Sequence, residues 1–406
     1  MAQPSSATPD SQLQRLRQLA QIFLKLGTLG FGGPQAHLAL MNEELVVRRQ
    51  WFSPEAFSEG IALCEMLPGP ASTQMGIYSG YLRAGQLGAW LAGVCFIAPA
   101  FLIVVALSWG YFQFQGIPQL SALFFGIAPV IVAIVLAFCW KLGQKSITGW
   151  PQLGIALAVF CTTLLTPISL LIQFLVAGLV GLGLHRPRIS ALLMPLLLHP
   201  ATLILAEAPL ETVAISSVWG FDRIGNFFLP LTLFFLKVGS AIFGGGLVII
   251  PLIEKEVVQQ LNWLTPTEFI NGVAIGQLSP GPVVLTAAFV GYKVAGFAGA
   301  LVATIAIFTP SFAFILLAAP ALQQLRRSPW VRAFLLGVTP GVLGAIAAAS
   351  IPLVHTAVVL PTPLASGVAV AVAIASGILL LRFQTPTWQL VLLGAALGLI
   401  LGPWLG

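Results

Sequence analysis

The chain has 406 residues, of which 58% are hydrophobic and only 7% charged, with a mean hydropathy of +0.98 and a formal net charge of +6. A soluble domain carries about 25% charged residues, and so few charges cannot clothe a water-facing surface. Soluble enzymes and nucleic-acid binders are excluded, and a polytopic membrane protein is expected.

Met1 to Gln14 is polar and leads into a weakly amphipathic stretch with Arg15 and Arg17. It has no apolar core followed by a small-residue cleavage site, so no signal peptide is expected. No Asp, Glu, Lys or Arg occurs from Ala84 to Trp140, Ser146 to His185, Val294 to Leu325 or Ala333 to Leu381. One membrane helix needs about 20 apolar residues, so the first and last runs each hold two or more. Apolar residues do not alternate with a period of two, which argues against a β-barrel. Cys64, Cys95, Cys139 and Cys161 lie far apart in apolar segments, and neither they nor His37, His185, His199 and His355 show metal-ligand spacing. No cofactor, metal or enzymatic chemistry is expected.

The chain repeats itself. Phe23-Leu24-Lys25-Leu26-Gly27-Thr28 recurs as Phe235-Leu236-Lys237-Val238-Gly239-Ser240, 212 residues on. At that offset Phe31-Gly32-Gly33 meets Phe243-Gly244-Gly245, Trp51 meets Trp263, and Pro68-Gly69-Pro70 meets Pro280-Gly281-Pro282. After one dropped residue the offset is 211: Gly80-Tyr81 meets Gly291-Tyr292, Gly88 meets Gly299, and Pro129 meets Pro340. Three regions follow: a first repeat at 12–188, a linking apolar segment and acidic loop at 189–226, and a second repeat at 227–406. Basic residues fall at Arg15/Arg17, Arg83, Lys141/Lys145 and Arg186/Arg188 in the first repeat. In the second they shift to Arg326/Arg327/Arg332 and Arg382. Because Lys and Arg collect in cytoplasmic loops, the halves should be inverted. Ile189–Ala206 then supplies the odd crossing, and Glu207, Glu211 and Asp222 form an external loop. The expected fold is an all-α polytopic membrane protein of about 13 transmembrane segments, built as two inverted homologous halves with broken or re-entrant helices. Its N-terminus would be cytoplasmic, its C-terminus outside, and its location a bacterial inner membrane.

Gly27–Pro34 and Gly239–Gly246, with Pro68-Gly69-Pro70 and Pro280-Gly281-Pro282, should interrupt helices at membrane depth. Unwound backbone survives there only against protein or a watery cavity, and matching interruptions in two halves mark a transport site. Gly88 and Gly299 read instead as packing glycines. Ser53-Pro54 and Thr265-Pro266 read as helix starts, Glu268 completing a capping box with Thr265. Trp51 and Trp263 read as interfacial anchors. Lys25 and Lys237 lie inside apolar segments, where a charge marks function unless it snorkels to an interface. Together with amides at half-helix N-termini they would suit an anion. Glu65, whose counterpart is Gln277, either carries a coupling proton or pairs with Lys25 or Arg83.

These residues resemble the chromate ion transporter family, long-chain two-domain type. The resemblance rests on Phe31-Gly32-Gly33-Pro34, Gln50-Trp51-Phe52 with Phe57, Pro68-Gly69-Pro70, and the copies at Phe243–Gly246, Trp263–Thr265 and Gln277–Pro282. It implies export of chromate, a sulfate-like dianion, with resistance to it. A membrane potential contributes about 2.3 kcal/mol per charge per 100 mV, so exit of a dianion is favoured by roughly 4.6 kcal/mol, with or without proton exchange. The substrate site would comprise Lys25, Thr28, Gly32, Gly33, Pro68, Gly69, Pro70 and Thr73. Its second-half counterparts are Lys237, Ser240, Gly244, Gly245, Ser279, Pro280, Gly281 and Pro282. Arg83 and Lys293 would attract the anion at opposite mouths. Partners would be the oxyanion and the bilayer, with room for a homodimer and no nucleic acid. A sulfate or other oxyanion carrier and an anion channel are the competing readings.

Overall fold

The computed structural model describes residues 11–166, 168–185, 217–243, 245–318 and 328–405. The expected linking span Ile189–Ala206, Glu207, Glu211, Arg186, Arg188, Arg326, Arg327 and Gly244 lie outside them. Among the described residues there are fourteen α-helices and no strand. The first repeat holds α1 (Gln12–Leu29), α2 (Gly33–Asn42), α3 (Pro54–Met66), α4 (Ala71–Gln113), α5 (Pro118–Ser146), α6 (Trp150–Leu165) and α7 (Leu170–His185). The second holds α8 (Ile224–Ser240), α9 (Ile249–Glu254), α10 (Pro266–Leu278), α11 (Thr286–Ala318), α12 (Pro329–Val358), α13 (Pro363–Arg382) and α14 (Thr387–Leu405). Six helices are long and apolar enough to cross a membrane, namely α4, α5, α11, α12, α13 and α14, while α6, α7 and α8 are apolar but shorter.

The caps follow the sequence. Ser53 Oγ accepts from Ala56 N ahead of Pro54, and Thr265 and Glu268 exchange both bonds of a capping box. Beyond α2 and α9 the chain widens into π-helical turns, Glu43–Arg48 and Lys255–Gln260.

The long α4 is not one rod. Ala84 and Gly85 leave helical geometry, with Gly85 at φ +67°, and Gly80 packs directly on the Gly88 carbonyl. Residues eight apart in a straight helix lie about 12 Å apart, so the chain folds back into α4a (71–83) and α4b (86–113). Ala295-Gly296 reverse α11 in the same way, Gly291 meeting Gly299, to give α11a (286–294) and α11b (297–318). Gly88 and Gly299 are packing residues as expected, but what they pack is a hairpin.

Each repeat contains two further helical hairpins. In one, the chain after α2 runs back along α1; in the other, α3 returns as α4a around Pro68–Pro70, with Gly60 against Met75 and Tyr78. The second repeat copies this, Gly272 lying against Phe289. α1 packs on α4, α8 on α11, and α4 on α11, Gly27 and Gly239 seating on the backbone carbonyls of Phe96 and Ile307. The remaining helices cross over: α6 and α7 pack on α12, whereas α13 and α14 pack on α5. Glycines make these contacts close, Gly344 on Ala156, Gly337 on Ala177, and Gly126 on Gly394 and Gly398, as expected where lipid supplies no hydrophobic drive between helices.

Candidate functional site

The four helix breaks meet. Gly69 N, in the first repeat's Pro-Gly-Pro tip, donates to Ile242 O in the second repeat's broken segment at 2.7 Å. In the other direction, His37 at the start of α2 reaches the second tip, with Nε2 on Gly30 O and, at 3.1 Å, on Pro280 O. Carbonyls only accept, so Nε2 carries the proton, and Nδ1 accepts from the Ser72 hydroxyl at 3.2 Å. His37 is only 1% exposed. It stitches α2, α4a and the second half's tip together, and its counterpart at the repeat offset is Ile249.

Backbone donors converge here. α2 starts at Gly33 with no side-chain cap, Gly32 at φ +115° and Gly33 at φ +78°. α4a likewise starts after Pro70 with no side-chain cap, and its first helical bond is Gln74 N to Pro70 O. The amides of Ala71, Ser72 and Thr73 thus open a helix whose positive end points into the junction. Gln74 Nε2 donates to Pro68 O at 2.7 Å and fixes the tip. Thr73 Oγ1, Gln74 Oε1 and Ser311 Oγ are buried without a hydrogen-bond partner. Across the junction Phe312 stacks on Trp90, centroids 4.4 Å apart, which locks α11b against α4b beside Ser311.

Several expected site residues lie elsewhere or are engaged. Lys25 pairs with Glu44 at 3.5 Å, and Glu44 also accepts from Arg49 at 2.9 Å; Lys237 pairs with Glu256. Both acids sit on the π-helical turns, so the lysines are compensated by carboxylates and do not enter the junction as bare charges. The Thr28, Ser240 and Ser279 hydroxyls donate to Leu24 O, Leu236 O and Gly276 O, leaving no proton for an anion. Glu65 pairs neither with Lys25 nor with Arg83 but lies 3.5 Å from Lys145 on an exposed face. Lys293 is not an open mouth charge: it donates to Glu268 Oε1 at 2.7 Å, beneath Phe112. Arg83 lies over Trp51 and donates to Gln18 at the reversal of α4. Trp263 is no interfacial anchor, since it is buried against Phe227 and Phe234. Gly32, Gly33, Pro68, Gly69, Pro70, Thr73, Pro280, Gly281 and Pro282 lie in or beside the broken segments, as does Gly245 at φ +133°.

The chromate transporter family model matches residues 17–182 and again 229–399. The chain belongs to this family. A chromate transport protein of Cupriavidus metallidurans is 36% identical over 96% of this chain and 94% of its own. A probable chromate transport protein of Synechococcus elongatus is 36% identical over 83% and 84%. A Bacillus subtilis protein named uncharacterized transporter YwrA is matched over 95% of its length by 40% of this chain, at 33% identity. No solved structure matches. Among the described residues no group of three or more His, Cys, Asp or Glu is placed to hold a metal ion.

Proposed function

We propose that this protein is a secondary transporter that carries chromate out of the cytoplasm, with sulfate as a competing dianion, and so confers chromate resistance. The observation that carries the reading is the junction itself. In a chain whose two halves both match the chromate transporter family, each half's broken helices are hydrogen-bonded to the other's. Unwound backbone at membrane depth supplies amides to an anion without burying a full positive charge. The halves are inverted in the bilayer of a bacterial inner membrane, N-terminus inside and C-terminus outside. The pairwise exchange of α6/α7 and α13/α14 between repeats supports that two-fold arrangement.

The potential drives exit, supplying roughly 4.6 kcal/mol per dianion at 100 mV. The pairing of Glu65 with Lys145 favours this over a proton carried by Glu65. The Lys25–Glu44–Arg49 cluster gathers the anion, and the junction binds it. Closely packed tips favour a carrier over an open channel. The test is chromate uptake into inside-out vesicles, with and without excess sulfate and with the potential collapsed. Saturable uptake that sulfate inhibits and that falls with the potential is expected. Uptake that persists without the potential but needs a pH gradient would transfer the drive to protons.

A further inference from the structure

A duplicated junction has two pseudo-equivalent faces, and the two faces differ in chemistry. In the first repeat a side chain on Gly69 would collide with Gln74 Nε2 and come within 2.5 Å of Ser311 Oγ. In the second, one on Gly281 would collide with the Ala100 methyl and lie 3.1 Å from Leu285 Cδ1. Ser311 and Ala100 are counterparts at the 211 offset, as are Gln74 and Leu285 and, in the same register, Thr73 and Val284. The face at Gly69 is lined by Gln74 and Ser311, with Thr73 next to Gln74 on α4a, and the face at Gly281 by Leu285 and Ala100, with Val284 beside Gly246.

The polar face is also the unsatisfied one. Thr73, Gln74 and Ser311 are each 0% exposed, and each holds a buried oxygen with no hydrogen-bond partner. Such orphans are costly inside a protein and call for a partner, a water or a ligand. At the Gly281 tip the corresponding positions, Val284, Leu285 and Ala100, carry no such group.

We propose that the transported oxyanion is held on this face alone. Ser311 of the second half and Thr73 of the first donate their hydroxyls to it, beside the free amides of 71–73, and the face at Gly281 is a steric stop. The inference rests on the oxyanion-carrier reading and names the residues of that site. A tetrahedral oxyanion accepts hydrogen bonds, and hydroxyl protons and helix-opening amides are what this face supplies. Gln74 is a positioning residue, because its Nε2 holds Pro68 O; its Oε1 accepts from a water or from a proton carried on the anion. The contact of Gly69 with Ser311 leaves no room for an anion as it stands. Binding therefore requires the tip to part from α11b, breaking the bond from Gly69 N to Ile242 O. An anion held by Ser311 and Thr73 touches both halves at once, which ties its presence to their relative position.

The test uses the full-length protein, in inside-out vesicles for chromate uptake and purified for thermal stabilisation by chromate and by sulfate. Ser311→Ala should raise the half-saturation concentration about tenfold to a hundredfold, the effect of one hydrogen bond to a charged group. Its ligand-free melting midpoint should stay close to wild type. Ser311→Thr should restore affinity, and Ala100→Ser should change nothing. Wild-type affinity in Ser311→Ala, or a gain in Ala100→Ser as large as the loss in Ser311→Ala, would overturn the assignment. If the wild type takes up no chromate yet sulfate stabilises it through Ser311, the chromate reading falls and the tip assignment stands. If neither anion stabilises it, the tip assignment falls.

Discussion

The hairpin of α3 and α4a and that of α10 and α11a share one sequence pattern but sit in different surroundings. α10 is enclosed by α4, α5, α12 and α14, and from Glu268 to Gln277 every residue is buried. α3 packs chiefly on α4, with Ser58, Glu59 and Glu65 exposed. Glu65 has 45% of its side chain exposed, whereas its counterpart Gln277 is 6% exposed and within 3.5 Å of Thr387 on α14. The lysines differ likewise: the Lys25 side chain is 53% exposed and that of Lys237 31%. One hairpin is docked and the other is open, as a transporter of two like halves requires if access passes from one side to the other. Two copies of one pattern thus take different surroundings.

The sharpest way to break this comparison is at the tips. Gly69 has φ +135°, and a side chain there collides with Gln74, whereas Gly281 is limited only by contact with Ala100 and Leu285. Strain of about 1–3 kcal/mol accompanies such a backbone. Gly69→Ala should therefore lose about tenfold to a hundredfold of chromate uptake at matched protein amount, and Ser311→Gly should not rescue it. Gly281→Ala should be largely rescued by Ala100→Gly, because the collision there is with the methyl, and the Leu285 Cδ1 at 3.1 Å is the end of a flexible side chain.

The ion pairs come next. Lys237→Met removes a cation whose side chain is only 31% exposed from the largely buried Glu256, and should destabilise the purified protein by about 2 kcal/mol, below the 3–5 typical of full burial. Lys25→Met should cost about 1 kcal/mol or less, because Glu44 keeps Arg49. Thermal melting in detergent checks both, and equal losses would contradict the difference in enclosure. Accessibility gives a finer measure. A cysteine at Glu59 should react with a water-soluble maleimide, one at Asn271 should resist it, and chromate turnover should narrow the gap. The smallest effect belongs to Arg83→Gln, a modest rise in half-saturation at low salt that vanishes at high salt, since attraction between separated charges is screened.

The repeat, the four breaks and the caps were legible because glycine, proline and N-cap residues act through local backbone geometry. Glu44 and Glu256 were hidden. They fall outside the motifs and the uncharged runs, and only the π-helical turns carry them back to Lys25 and Lys237. The signal was there in the equal separation of 19 residues in both copies. The reversals at Gly85 and Gly296 looked like helix interiors, because a single non-helical pair inside an apolar run leaves hydropathy unchanged. His37 gave no warning, having no polar counterpart at Ile249. Ser311 did differ from Ala100 in the alignment of the halves, but an isolated serine in an apolar helix ordinarily bonds its own preceding turn.

The exchange of α6/α7 and α13/α14 between the repeats bears on how the protein is made. The surface that α6 and α7 cover belongs to α12, and that helix leaves the ribosome only after more than a hundred further residues. The first half must therefore wait in the bilayer with these two helices unseated. It should not mature when expressed alone, and two separately encoded halves should assemble when they are synthesised together.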